Sequence, residues 1–285
     1  MKKSVVVTGA STGIGFATTK LLVENGFHVF AGVRKMGDAD HVSAEIGEEV
    51  TPLIFDVTDD EGVREAAKDV GERLGATRLA GLVNNAGVAV AGPLLHLPLA
   101  DLRRQLEINV TGQVSVIQAF APLLGSDSGR RGPPGRIVNM SSISGKLANP
   151  FTGPYAASKH ALEAISDSLR RELMIYGVDV IVIEPGPIAT PIWDKAEAQD
   201  FTPYFKTDYR EQVTRLRAYA MKKGREGYPP ERVAASVLRA LVAANPPTRI
   251  PVVKGKFVNF TLPRLLPDRM FDRLVGKVTG LTRME

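Results

Sequence analysis

Short apolar runs alternate along the chain with longer stretches of helical spacing. SVVV at 4–7 is apolar and β-branched, as in a strand buried on both faces. Past a glycine-rich turn, Ile14, Ala17, Leu21 and Leu22 recur at the spacing of one helix face. HVFAGV (28–33), TPLIFD (51–56), part of LAGLVNNAG (79–87), GRIVNMSS (135–142), VDVIVIEPG (178–186) and RIPVV (249–253) read as further strands. Helical stretches fill the gaps, notably 13–25, 59–74, 99–124, 153–176 and 230–244. Thr58 and Glu61 have the spacing of a capping box at the second of these. The alternation predicts an α/β fold, a doubly wound parallel sheet of about seven strands with helices on both faces. Ligands of such sheets bind outside the carboxyl ends of the strands.

The strand ends therefore carry the candidate chemistry. TGASTGIG at 8–15 joins the first strand to the first helix. In it Gly9 allows a tight turn, Gly13 leaves room for a pyrophosphate, and Gly15 permits close packing of the helix on the sheet. With Ser11, Thr12 and Ile14 these glycines present the helix N-terminus to phosphate. The spacing is Gly-x-x-x-Gly-x-Gly, not the Gly-x-Gly-x-x-Gly of the standard dinucleotide fingerprint. Strand, glycine turn and helix in this order, within the alternating pattern, make a Rossmann-type fold the expectation. The second strand ends Ala31-Gly32-Val33-Arg34-Lys35, with no acid before Asp38. A ribose 2′-hydroxyl usually meets an acid there, whereas Arg34 and Lys35 suit a 2′-phosphate. The expected cofactor is NADP(H); a solvated basic turn is the plainer alternative.

Asp56 ends the third strand, with Val57 next to it; Asn84-Asn85-Ala86-Gly87 ends the fourth, Ser141-Ser142 the fifth, and Pro185-Gly186-Pro187 the sixth, with Ile188 and Thr190 in the stretch after it. Each has a turn-forming reading: Ser142 with Gly145 could open a turn, and Thr190 could cap a following helix. Asn109, inside a helical stretch, reads by itself as a surface residue. Tyr155 and Lys159, four apart in PYAASKHAL, share a helix face. An ammonium beside a phenol lowers the phenol pKa and makes it a usable acid/base.

Composition narrows the class. The 285 residues, 44% hydrophobic and 24% charged, suit one soluble domain over 1–285. Without cysteine there is no disulfide or thiolate metal site, and four scattered histidines make no local metal motif. A net charge of +5 without a long basic run argues against nucleic acid as a partner. Arg130, Arg131 and Arg136 sit in or beside the Gly/Pro-rich loop 125–135. No apolar run is long enough to span a membrane, and the opening Met-Lys-Lys-Ser-Val-Val-Val reads as strand rather than signal peptide. The expected location is cytoplasmic.

The assembled motifs resemble the short-chain dehydrogenase/reductase family. TGASTGIG matches its cofactor loop, NNAG its sheet motif, and Asn109 its helix-borne asparagine. Ser142, Tyr155 and Lys159 match its catalytic serine and Tyr-x-x-x-Lys, thirteen positions from serine to tyrosine, and PGPIAT (185–190) its nicotinamide segment. The match runs over roughly 4–190. HVFAGVRK and the SDSLRREL run further resemble the retinol/hydroxysteroid dehydrogenase branch. The resemblance implies hydride transfer between cofactor and carbonyl, with Tyr155 moving the proton and Ser142 hydrogen-bonding the oxygen. It further implies that Tyr155 and Lys159 contact the nicotinamide ribose, that Asn109 supports a water chain, and that a homodimer or homotetramer forms through 99–124 and 153–176.

Two segments lie wholly or mostly beyond the match. Residues 187–228 interrupt the strand–helix pattern as a candidate lid and hold seven of the eighteen aromatics, from Trp193 to Tyr228. Aromatics interleaved with charge suit a lid over a lipophilic alcohol or ketone, such as a steroid, retinoid or fatty carbonyl, or merely anchor the lid. The tail 254–285 is basic, net +4, with interspersed Phe, Leu and Met. It suits peripheral contact with a membrane, or folds over the sheet and pocket. A non-catalytic NADP(H) sensor and a reductase of small polar carbonyls are the alternative functions.

Overall fold

The computed structural model describes residues 2–283. Met1, Met284 and Glu285, at the ends of the expected domain and basic tail, lie outside the described residues, as does the Lys195 side chain. Strands β1 (Ser4–Thr8), β2 (His28–Val33), β3 (Val50–Ile54), β4 (Gly81–Asn84), β5 (Arg136–Met140), β6 (Asp179–Pro185) and β7 (Arg249–Val252) form one seven-stranded sheet in the order β3-β2-β1-β4-β5-β6-β7. Every pairing is parallel. The chain winds outward from β1 to β3, then restarts at β4 on the other side of β1. The reversal opens a crevice at the carboxyl ends of β1 and β4, where doubly wound sheets bind ligands.

Parallel strands need crossovers, and helices supply them. They are α1 (Gly13–Glu24), α2 (Met36–Ile46), α3 (Asp60–Leu74), α4 (Leu99–Leu106), α5 (Gly112–Ala121), α6 (Gly153–Glu172), α7 (Ile192–Glu197), α8 (Arg210–Arg225), α9 (Pro230–Val242) and α10 (Asp268–Thr279). Val5 and Val7 face one core with Leu22 of α1 and Val233 and Val237 of α9. Val6 faces the other, with Val63 and Val70 of α3 and Phe120 of α5. Strand alternation thus feeds two cores from one apolar run. Each fully buried Val or Leu contributes about 1.5–3 kcal/mol.

Three local expectations change. The α3 cap is Asp59, whose carboxylate accepts from the N–H groups of Glu61 and Gly62, both at 3.2 Å. Thr58 instead donates both its hydroxyl and its N–H to Asp56 Oδ1, at 2.8 and 3.0 Å. The stretch 99–124 is not one α-helix: π-helical turns occupy Glu107–Thr111 and Pro122–Ser126. Finally, α2 buries only Ala39 and Val42, too thin an apolar signature to stand out in sequence.

Candidate active site

The turn after β1 and the end of β4 are built as one unit. Thr8 Oγ1 accepts from the backbone N–H groups of Asn85 and Ala86 at 2.9 and 3.0 Å. The Asn85 amide donates back to the carbonyls of Thr8 and Gly9 at 3.0 and 3.2 Å. Gly9 has φ +65°, and a Cβ there would lie 2.8 Å from Ala86 Cα. At Gly15 a Cβ would stand 2.1 Å from the Gly9 carbonyl oxygen and 2.6 Å from Asn85 Nδ2, so the helix start packs closely against the ends of β1 and β4. Gly13 faces Thr190, whose Cβ lies 3.2 Å from the position a Gly13 Cβ would take. Thr12 caps α1 without a side-chain hydrogen bond, leaving the first-turn N–H groups for a ligand. This cradle fits a dinucleotide pyrophosphate.

Beyond β4 the chain 86–90 is held by three amides at successive helical turns. Gln113 donates to Ala86 O at 2.7 Å. Asn109 accepts from Val88 N–H and donates to Val88 O, both at 2.9 Å. Gln105 accepts from Val90 N–H at 2.7 Å and donates to Val88 O at 2.9 Å. All three side chains are fully buried, and the π turn at 107–111 falls between the outer two. Asn109 is therefore not a surface residue. Its second amide hydrogen goes to Ser158 Oγ at 3.1 Å, and Ser158 donates to the Tyr155 carbonyl at 2.8 Å. Both Asn109 amide hydrogens are thus spent on positioning, so its amide N–H groups are not free to support the expected water chain. Sequence reading missed Gln105 and Gln113. Their signal was three amides spaced i, i+4, i+8 in one helical stretch.

Ser142, Tyr155 and Lys159 come together at the end of β5 and the first turns of α6. Ser142 is buried, and its hydroxyl donates to Pro185 O at a long 3.3 Å. It also accepts from Ser144 N–H at 3.1 Å, so the turn-opening reading holds as well. Lys159 is buried and lies 5.8 Å from the centre of the Tyr155 ring. Its ammonium donates to the Met140 carbonyl at 2.7 Å. Burial pulls Lys159 down to about 8, partly offset by the Glu163 charge one turn on. The Tyr155 phenol moves upward through burial, with a hydrogen bond to Ser142 acting the other way. Lys159 was expected to hold the phenol low; in this arrangement burial moves it up, Ser142 alone opposes that, and the Lys159 ammonium is turned to a backbone carbonyl.

Arg34, just past β2, is exposed and lies 3.9 Å from Asp56 Oδ2. Lys35 starts α2 without a side-chain cap bond. Asp56 accepts from Thr58, and Val57 is buried against α5, where a Cβ on Gly112 would reach the Val57 carbonyl at 2.7 Å. The residues Gly9, Ser11, Thr12, Gly13, Ile14 and Gly15 thus share one strand-end edge with Arg34, Asp56 and Asn85–Gly87. Pro185 and Gly186 close the same edge, with Gly186 against Val253. Ile188 is buried and pairs with Tyr228. Thr190 does not cap α7; Pro191 holds that position, and the Thr190 side chain lies against the glycine turn.

The segment 187–228 packs over the chain 88–98. Phe201 and Tyr204 are buried with Val90, Leu97 and Val213, and Phe151, Phe205 and Tyr209 pack partly buried against them. Gln199 donates to Ala91 O at 2.8 Å. Trp193 donates to Ile188 O at 2.7 Å, while Tyr219 is exposed. Most of these aromatics therefore anchor the segment; Phe205 and Tyr209 remain half-buried beside Phe151. Phe151, four residues before Tyr155, has φ +64°, a conformation that costs a bulky residue energy and marks a constrained site.

A doubly wound sheet whose switch point is a glycine cradle, with a serine, a phenol and a buried ammonium at neighbouring strand and helix ends, is the architecture of a nucleotide-dependent oxidoreductase. The sequence profile of the short chain dehydrogenase family matches residues 3–200, and the chain belongs to that family. It is 42% identical over 272 residues to an NADPH-dependent 3-dehydrocapnine reductase of Ornithobacterium rhinotracheale, covering 95% of each chain. It is 38% identical to mouse retinol dehydrogenase 5 over 66% of this chain and 57% of that protein. Among solved structures, a short-chain dehydrogenase from Streptomyces avermitilis superposes with a TM-score of 0.76 at 27% identity, covering 100% of this chain and 99% of that one.

Proposed function

We propose that the protein is an NADP(H)-dependent carbonyl reductase acting on a lipophilic ketone or aldehyde, with Tyr155 as proton donor. The observation that carries this reading is the Ser142–Tyr155–Lys159 constellation beside a glycine cradle whose neighbouring strand ends in Arg34. When bound, the nicotinamide supplies the hydride. The cradle Gly9–Gly15, with Ser11, Thr12 and Ile14, would hold the pyrophosphate, and Arg34 and Lys35 the 2′-phosphate. Asp56, Val57, Asn85, Ala86 and Gly87 would border the adenosine side. Tyr155, Lys159, Pro185, Gly186, Ile188 and Thr190 would border the nicotinamide. The dependence of one relative on NADPH, stated in its name, supports the cofactor choice.

A phenol with a raised pKa keeps its proton at neutral pH, the state that a reduction needs. Ser142 can exchange its long bond to Pro185 O for the substrate oxygen and so stabilise developing charge. Lys159, still largely an ammonium at pH 7 with a value of about 8, stabilises the phenolate left behind. Asn109, through Ser158, fixes the turn of α6 that carries Tyr155. The half-buried Phe151, Phe205 and Tyr209, with Val90 and Leu97, supply apolar surface for the substrate under a lid formed by 187–228.

The test is NADPH oxidation with steroid, retinoid and long-chain ketones compared with sugars and short keto acids. A kcat/KM at least about tenfold higher for the lipophilic panel is expected. A preference for the polar panel overturns the substrate assignment. NADPH binding without turnover of any carbonyl overturns the enzyme reading.

A further inference from the structure

We propose that α10 docks the protein on an anionic membrane surface, lying flat among the headgroups. Every fourth residue of a helix returns to nearly the same face, and neighbouring residues stand about 100° apart. Along α10 this sorts the side chains into four rows: Asp268 and Asp272; Arg269, Arg273 and Lys277; Met270, Leu274 and Val278; Phe271, Val275 and Thr279. The last row faces the protein, with Phe271 and Val275 half-buried and Thr279 buried. The apolar row beside it faces out: Met270, Leu274 and Val278 are 50%, 46% and 76% exposed. The cationic row adjoins that outward stripe, is exposed throughout, and makes no salt bridge among the described residues. The two acids lie across the helix from the apolar row.

Scattered exposed apolar residues need no explanation, but a concentration does. Among the described residues, eighteen large hydrophobics are exposed, and seven of them fall between Phe257 and Val278. No described helix is long and apolar enough to cross a membrane, so the contact is lateral. A protein partner's interface core is depleted of charge, whereas an apolar stripe edged by cations of one sign matches acyl chains below anionic headgroups. Gln212 of α8 donates to Gly280 O at 3.2 Å, so docking brings the 187–228 segment towards the bilayer. The proposal does not depend on the reductase reading.

The test uses the full-length protein and phosphatidylcholine vesicles with or without phosphatidylglycerol. Flotation with the anionic vesicles at low salt and release at high salt are expected. Changing Arg269, Arg273 and Lys277 together to Gln should weaken binding about a hundredfold, roughly fivefold per charge. Changing Met270, Leu274 and Val278 together to Ser should abolish it, with Tm and NADPH titration unchanged. Failure to float, equal binding to neutral vesicles, or binding unaltered in both triple variants overturns the proposal. Light scattering supplies the remaining outcome: a dimer that the Ser variant converts to monomer, with no lipid binding by the parent, makes this stripe a seam between two copies and also overturns it.

Discussion

At the residue scale the structure separates what spacing can show from what it cannot. The nearness of Tyr155 to Lys159 follows from one helical turn, and the position of Ser142 from the end of a strand beside that helix. The acceptor of the Lys159 ammonium was not legible, because it is the Met140 backbone carbonyl and such carbonyls carry no sequence signature. Asn109 was found by family resemblance, yet its burial against the backbone of Val88 arises from a π turn that periodicity does not announce. Two predictions belong here. Tyr155→Phe is expected to lower kcat at least about a hundredfold while leaving NADPH titration nearly unchanged, since the hydroxyl moves a proton and the ring still fills its site. Steady-state rates and fluorescence titration of the same preparation check it. Arg34→Ala should weaken NADPH by about ten- to a hundredfold, the worth of one or more charge-assisted hydrogen bonds, and leave NADH unchanged. Isothermal titration with both cofactors decides; equal losses for both would place Arg34 away from the 2′-phosphate.

At the element scale the strands were the most legible part, because each is a short apolar run buried between two layers of helix. Least legible was the cross-linking of elements by buried charge. Glu163 and Asp167 of α6 meet Arg249 of β7 at 2.9 and 2.8 Å, and Lys146, after β5, reaches Glu163 at 2.9 Å. Glu184 of β6 is buried 3.8 Å from Arg249. These residues are far apart in sequence, and only the order β5-β6-β7 makes them neighbours. Burial first, then the Glu163 charge, pushes Glu184 up from 4.5 to about 7 against the pull of Lys146, Arg249 and Arg264. Between those values the folded protein binds more protons than the unfolded chain, so this group makes stability fall as pH rises through the window. Glu184→Gln removes that slope. Relative to the parent, its stability is expected to rise by up to about 3 kcal/mol across the window and stay level above it. Denaturant melts of both proteins at stepped pH measure the difference; a gap that does not change with pH would show that Glu184 titrates normally.

At the scale of the whole molecule, the doubly wound sheet was readable because alternating patterns admit few topologies. The segments that build on it, 187–228 and 254–283, were readable as composition but not as structure. Helices α7 and α8 rest on aromatic anchors and isolated hydrogen bonds, and α10, though periodic, leaves much of its apolar side facing out. The layer formed by α4, α5 and α6 bears on assembly. Leu94, Leu95 and Leu99 are exposed at the entrance to α4, as are Met174, Ile175 and Tyr176 just beyond α6. Solvent is a costly environment for six large apolar side chains at the ends of one helical layer, and a second copy related by a two-fold axis would cover both groups. A homodimer, or a tetramer built from two such dimers, is the expected state, with these residues near its seam. Light scattering at micromolar concentration is expected to give at least twice the mass of one chain. Changing Ile175 and Leu99 together to Lys should shift the population towards monomer, because each charge would have to be buried unpaired in the seam. Tm would then fall with dilution in the parent and become independent of concentration in the variant. A parent protein that is monomeric throughout would show that these side chains serve no interface between copies.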